Sequence, residues 1–466
     1  MTARARRKGA ALLATGIAAT MVLAACSSSS DSGSSASASA SGGGESSAAS
    51  VEPGCEDYAS YGTFEGAKVT IFTSILPPEQ QKYEASWADF EKCTGIDVVY
   101  EGSDQFEAQL PTRIAGGNAP DIAFIPQPGL LQQLVNGQQP PVQVSEATQA
   151  NIEQFWNPGI SQYGKVNDVY YGAPLSSNMK SLVWYSPTAF ADAGYTVPTT
   201  WDEMFALSDK IVADGNKPWC GGIESGGATG WPATDWLEQV VLRQQGGDVY
   251  DQWVAHTVLF DSPQITEAMD TVAGWMKNPD YVNGGFGDVK TIATTAFQDA
   301  GKPILDGKCY MLQQASFYAA QWPSFKPDVT VAEDGDVFAF YLPQISADVP
   351  TPVVFGGEYV AAFSDRPEVQ AFQTYLASDT FATLKVEQGG WVSANNGVPL
   401  DSYSDPIQKL SAQYLTDPNA TLRFDASDLM PAAVGAGAEW KQMTAWFGED
   451  KPTQEVLQAI DAAWPS

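Results

Sequence analysis

One histidine in 466 residues, His256, is the sharpest shortage in this chain. Zinc sites draw on His and Cys, and a Ser-His-Asp centre needs an imidazole beside its nucleophile, so both chemistries are poorly served. Arginine is nearly as scarce: beyond the N-terminal segment only Arg113, Arg243, Arg366 and Arg423 occur. Bidentate clamps for phosphate, sulfate or an amino-acid carboxylate favour arginine, so anionic ligands are disfavoured. After the first 25 residues no apolar run approaches the ~18 residues of a membrane span. No internal repeat of ~20–50 residues is present.

Cysteine is sparse but placed with order. Arg4, Arg6, Arg7 and Lys8 precede an apolar segment from Ala10 to Leu23 that is too short to span a bilayer, so residues 1–25 read as an export signal. Leu23-Ala24-Ala25-Cys26 resembles the lipobox of bacterial lipoproteins. That resemblance implies a diacylglyceryl-modified, palmitate-bearing Cys26 on the extracellular side of the cell membrane. At ~0.8 kcal/mol per buried CH₂, two acyl chains hold such an anchor durably. Residues 26–54 are almost entirely Ser, Ala and Gly, with Asp31, Glu45 and Glu52 the only charges. This composition cannot offset its ordering entropy and predicts a flexible linker reaching about 30 Å on average.

Once the signal is removed, 20 Lys+Arg face 55 Asp+Glu. A surface so acidic repels nucleic acid and anionic lipid heads. Solubility outside the cell accounts for it, and net charge alone implies no cationic ligand. The other four cysteines, Cys55, Cys93, Cys220 and Cys309, are an even number in an exported chain and imply two disulfides. Three pairings are possible. A strand at Lys68–Thr73 followed by a helix to Thr94 returns Cys93 to the strand's start, near Cys55, which favours Cys55–Cys93 with Cys220–Cys309. Loop entropy gives these links roughly 4 and 4.5 kcal/mol.

The remaining ~410 residues are long enough for two domains with their own cores. Lys68–Thr73, Ile96–Tyr100 and Asp121–Ile125 read as strands, and Glu79–Glu91 and Phe106–Ala115 as helices. A second series starts at Lys180–Tyr185 and continues through helices at Trp201–Val212 and Pro232–Gln245. Strand–helix alternation implies parallel sheets covered on both faces, and two series imply two α/β lobes. Val337–Tyr341 and Val353–Phe363 read as later strands, and helices dominate from Pro367 onward.

Several segments together resemble the extracellular solute-binding proteins of carbohydrate ABC importers, the group that includes maltose-binding protein, and within it the α-glucoside-binding type. They are Asn118-Ala-Pro-Asp-Ile-Ala123, Tyr171-Gly-Ala-Pro174, Leu182-Val-Trp-Tyr185, Pro198-Thr-Thr-Trp-Asp-Glu203 and Trp219-Cys-Gly-Gly-Ile-Glu-Ser225. Gly230-Trp-Pro-Ala-Thr-Asp-Trp236, Gln314-Ala-Ser-Phe317, Phe355-Gly-Gly-Glu-Tyr-Val360 and Asp425-Ala-Ser-Asp-Leu-Met-Pro431 complete the set. The resemblance implies a two-lobed periplasmic-binding-protein-like (type II) α/β fold, each lobe a mainly parallel sheet flanked by helices. A hinge of about three crossing segments is implied near Asn178–Ser181, Tyr341–Gln344 and Asn396–Leu400. Lobe 1 is then residues 55–178 and 344–398, and lobe 2 residues 179–343 and 399–466. It further implies a monomer without cofactor that closes on a saccharide and passes it to ABC permease subunits.

A neutral saccharide offers C–H faces to aromatic rings and hydroxyls to carboxylates and amides. Trp231 and Asp235 sit where the glycine-rich stretch Gly221–Gly230 enters a helix, a position that faces a cleft in α/β folds. No Gly-Lys-Ser/Thr follows, so this is not a phosphate-cradling loop. Gln127 follows the strand Asp121–Ile125 at its carboxyl end, and in the resembled family the residues there touch sugar; Asp121 itself reads as structural. Glu358 is a carboxylate inside an apolar run and needs a partner, from a ligand or from a buried network. Gln314, Trp391 behind Gly389-Gly390, Asn178 and Ser74 complete the candidate set. The rival classes are a surface glycoside hydrolase, which needs two carboxylates roughly 5–10 Å apart, and an adhesin or signalling lipoprotein that keeps the fold without transport.

Overall fold

The computed structural model describes residues 52–465 apart from 416 and 418; the signal segment, Cys26 and residues 27–51 of the linker lie outside the described residues. Thirteen strands are present among the described residues: β1 Lys68–Thr73, β2 Asp97–Gly102, β3 Ile122–Ile125, β4 Lys165–Val166, β5 Val169–Tyr170, β6 Gly172–Pro174 and β7 Asn178–Met179. They continue as β8 Leu182–Tyr185, β9 Met311–Gln313, β10 Phe338–Tyr341, β11 Pro352–Gly356, β12 Tyr359–Ala362 and β13 Thr421–Phe424. β4 and β5 form a short hairpin, and the others make three sheets.

The largest sheet has the order β2-β1-β3-β12-β6. β1 runs parallel to β2 and β3, while β12 runs antiparallel to β3 and β6. Side chains alternate between two cores. Val69, Ile71, Ile122, Phe124 and Val360 enter one cluster; Phe72, Ala123, Ile125 and Ala361 enter the other. A helix at Glu79–Thr94 brings Tyr83, Trp87 and Phe90 to the first cluster and stops at Gly95, whose φ of 74° few other residues tolerate. Helices at Phe106–Ala115 and Pro128–Val135 supply Leu110, Ile114, Leu130 and Leu131 to the second. The sheet is thus buried on both faces, as the near-continuous apolar strands require. Asp121 ties the start of β3 to β1 by accepting from the Thr70 backbone N–H at 2.9 Å, and it pairs with Arg366 at 2.7 Å.

The second sheet, β10-β8-β9, is antiparallel throughout, which corrects the expectation of mainly parallel sheets for this part of the chain. More than a hundred residues separate β8 from β9, so no single crossover helix fixes their relative direction. Trp184 anchors this sheet, fully buried against Tyr318 and Trp322.

A third sheet, β13-β11-β7, joins distant parts of the chain: β11 runs parallel to β13 and antiparallel to β7. The helix Trp231–Val254 packs on β11. β13 lies in a stretch read as helical, because four residues are too few for a period and pairing with β11 decides their state. The single strand expected at Val353–Phe363 is two, broken at Gly357–Glu358. There the chain leaves the third sheet for the largest one.

Disulfides join Cys55 to Cys93 and Cys220 to Cys309, with Cα–Cα separations of 5.4 and 5.8 Å. No helix among the described residues is long and apolar enough to cross a membrane. Replacing Cys220 and Cys309 together by serine opens a loop of 89 residues. The expected cost is about 4.5 kcal/mol of unfolding free energy, read from urea denaturation; an unchanged midpoint would show that the link contributes nothing.

Candidate functional site

A cavity of about 310 Å³ opens where the carboxyl ends of β1 and β3 meet the third sheet and the helix Trp231–Val254. Ser74 follows β1 and Gln127 follows β3, the side of a parallel sheet where ligands gather. Asn178, Glu358, Trp231 and Trp391 also reach the wall. Six of the eight residues singled out from the sequence are therefore brought together. Gly226 lines the cavity, and beside it the Gly227 N–H donates to the Asp104 carbonyl at 2.9 Å, where a Cβ would meet Gln105 Oε1 at 3.0 Å. Glycine permits this backbone approach.

Two candidates stand behind the wall. Asp235 is 1% exposed, and its Oδ1 lies 2.8 Å from Lys180 Nζ. The same ammonium pairs with Asp425. Burial alone lowers the Lys180 pKa, but Asp235 and Asp425 more than reverse this and hold it well above its usual value. Burial raises Asp235 well above the carboxylate range; at Asp425 the Lys180 ammonium and the Asp428 N–H outweigh burial and keep the carboxylate charged. Gln314 turns its Oε1 to the Ala315 N–H at 2.7 Å and, at 3% exposure, has no face to the cavity; Phe317, three residues on, takes that place.

The wall also contains residues that no local signal marked. Phe297 and Phe317 pack against Trp231, with ring centroids 5.0 and 6.0 Å away. Seven carboxyl side chains line the space, those of Glu79, Asp104, Glu107, Glu224, Glu358, Asp425 and Asp428, against one lysine, Lys180. No arginine among the described residues lines it. Each arginine beyond the signal is engaged elsewhere: Arg113 with Glu101, Arg366 with Asp121, Arg423 with Asp251, and fully buried Arg243 with the carbonyls of Leu342 and Pro343. His256 is equally remote, stacked on Trp464 and bonded to Asp461.

Asp235, Glu238 and Asp425 bring carboxylate oxygens within 4.8 Å of one another, a spacing that a metal ion accepts. Their partners are already protein groups: Lys180 serves Asp235 and Asp425, while Glu238 accepts from the backbone N–H groups of Ala426 and Ser427. The cluster is therefore a structural network.

The two tryptophans differ. Trp231 is half-buried and presents its ring beside Lys180 Nζ, 5.0 Å away. Trp391 is 1% exposed, donates through Nε1 to the Tyr83 hydroxyl at 3.0 Å and covers buried Lys385 at 5.0 Å. Burial lowers the Lys385 pKa to about 7. Trp391 thus belongs to the core as much as to the wall.

Two α/β lobes enclosing a cavity of rings and hydrogen-bond acceptors define a type II binding-protein fold. The chain belongs to the bacterial extracellular solute-binding protein family, which it matches over residues 76–383. It is 37% identical over 418 residues to the osmoprotective compounds-binding protein GgtB of Synechocystis sp., covering 88% of this chain and 96% of that one. It is 34% identical over 423 residues to the alpha-glucosides-binding periplasmic protein AglE of Rhizobium meliloti, covering 88% and 90%. The fold is shared with the solute receptor AcbH, which has a substrate preference for β-D-galactopyranose: TM-score 0.71 at 20% identity over 85% of this chain and 98% of that one.

Two outcomes test this geometry. Trp391→Ala should destabilise the ligand-free protein by about 3–5 kcal/mol, the usual cost of truncating a core tryptophan, in chemical denaturation; a loss below 1 kcal/mol would place the ring outside the core. Glu358 is pushed up to about 8, by desolvation first and by Glu79 second. Folding therefore favours its protonated form, and stability falls as pH rises from the unfolded carboxyl's range toward 8. Glu358→Gln removes that slope, so its melting temperature relative to wild type should be higher at pH 8 than at pH 5. An equal difference at both pH values would contradict the assignment.

Proposed function

We propose that the protein binds a neutral saccharide, of the α-glucoside di- or oligosaccharide class, in this cavity and delivers it to an ABC permease. The observation that carries the reading is the wall itself: the Trp231–Phe297–Phe317 ring cluster stands beside carboxylates and amides, with no arginine. Rings take the C–H faces of a sugar, and acceptors take its hydroxyls. The names of the relatives, which bind osmoprotective compounds and α-glucosides, support it. In this reading Ser74, Gln127, Asn178, Trp231, Glu358 and Trp391 contact the ligand, and Asp235 acts through Lys180.

The lobes are residues 55–178 with 344–398 and residues 179–343 with 399–466, and β7, β11 and β13 make the sheet at their seam. Ligand that touches both lobes shifts the population toward a closed form that the permease recognises. Cys26 carries the acyl anchor that keeps the monomer on the extracellular side of the cell membrane. The protein binds without turnover.

Titration calorimetry with trehalose, maltose and sucrose, run beside a product assay, tests the reading. Stoichiometric binding without product is expected; hydrolysis would make the protein an enzyme, and silence to all three would remove the α-glucoside assignment. Trp231→Ala should weaken binding by about 1–3 kcal/mol with little change in the melting temperature of the ligand-free protein. Equal affinity would take this ring out of the site.

A further inference from the structure

Carboxyl groups outnumber cations in the wall of the cavity, seven to one. Lys180, the one lysine or arginine among the described residues of its wall, is held by Asp235 and Asp425, and no other carboxyl group of the wall makes an ion pair among the described residues. Two of them converge from different elements. Glu107 lies in the first turn of the helix Phe106–Ala115, and Asp428 in the turn after β13. The turn of Asp428 packs on the helix Pro128–Val135 that follows Gln127: a Cβ on Gly129 would sit 1.9 Å from the Met430 carbonyl oxygen, and Gln127 itself reaches back to Glu107.

Gln127 completes the group. It is 4% exposed, and its Nε2 donates to Glu107 Oε1 at 3.0 Å. Its own Oε1 is buried and finds no donor among the described residues. Glu107 keeps only that amide as a side-chain partner, and the Asp428 carboxyl has no hydrogen bond among the described residues. Burial raises both carboxyls; at Asp428 repulsion from Asp425, and to a smaller extent from Asp235 and Glu107, raises it further against the attraction of Lys180. A buried acceptor without a donor is costly, and so is a buried acid facing another acid. A ligand group that brings several N–H donors and a positive charge relieves both at once.

We propose that Glu107, Gln127 and Asp428 form an ammonium subsite within the cavity, so that a glycoside carrying a protonated amine binds more tightly than its uncharged parent. The proposal rests on the reading of the cavity as a saccharide site. An ammonium offers three donors, one for each of these acceptors, and charge-assisted bonds of this kind are about twice as strong as neutral ones. Trp231 and Trp440 line the same space and add ring faces for a cation. A uronic acid or sugar phosphate meets the reverse situation, an anion among acids, and is rejected.

The test is titration of the whole protein at pH 7 with trehalose and with its 2-amino-2-deoxy and 6-amino-6-deoxy derivatives. The better amine should bind roughly tenfold or more tightly than trehalose. Its binding should release protons from the two acids, seen as a heat that depends on the buffer's ionisation enthalpy. In the Glu107→Gln/Asp428→Asn double variant the ratio of amine to trehalose affinity should fall toward one. An amine that binds no more tightly than trehalose to the wild type, or a ratio that survives in the double variant, overturns the subsite while leaving saccharide binding intact. Failure of all three sugars to bind overturns the saccharide reading, and the subsite with it.

Discussion

Lys180 is the residue on which the arrangement of the cavity depends. It follows β7, its ammonium lies between Asp235 of the helix Trp231–Val254 and Asp425 at the end of β13, and it is 7% exposed. Three elements from widely separated parts of the chain thus meet at one charge. Deleting the lysine would leave two carboxyl groups buried and uncompensated, which is far more costly than losing an exposed pair. The same contact fixes what surrounds it. Asp425 accepts from the Ser427 hydroxyl and the Asp428 N–H, so the turn that carries Asp428 is set by the partner of Lys180. Trp231 stands one helical turn before Asp235, with the ammonium 5.0 Å from its ring. Ring, acids and third sheet are therefore held in one register.

Around that point the chain distributes its few cations with consequence. Its arginines close structural gaps at strand starts, at carbonyl clusters and on the surface. The cavity is left with acceptors. In a low dielectric, adjacent carboxyls cannot all be charged, so some retain protons and act as donors. Glu358, raised to about 8 and bonded to the Ser176 hydroxyl, is one such group. A wall of this kind accepts from and donates to hydroxyls, and its one cation, Lys180, is already held by Asp235 and Asp425, which suits a sugar and disfavours an anion.

Much of the fold was legible from the chain because its strands and helices announce themselves locally. The helix Phe106–Ala115 and the strand Lys68–Thr73 carry clean periods, and Ser74 and Gln127 follow because the carboxyl ends of such strands are where ligands sit. The Gly-rich approach to Trp231 was visible for the same reason. The remainder depends on pairings that no local pattern encodes. β13 is too short to show a period, and the antiparallel order around β8 is set across a long excursion. Asp235 lies on the expected helix, yet a short carboxylate one turn below Trp231 meets Lys180 before it meets the cavity. Gln314 folds back on its neighbour's N–H, and Phe317 takes its place. Glu107 and Asp428 carry no mark of their own; they matter because the turn after β13 packs on the helix that follows Gln127.

That last pairing shows how such a site arises. Its wall is made of strand ends, helix starts and turns, the places where backbone rather than side chain must approach backbone. At Gly227 the approach is direct, N–H to carbonyl, with no side chain between. With main-chain contacts of this kind beside the rim, side chains near it pack on one another and line the space. Trp231 with Phe297 and Phe317, and Glu107 with Gln127, are such residues. Gln127 Oε1 is left without a partner among the described residues, and in the proposed function a ligand supplies it.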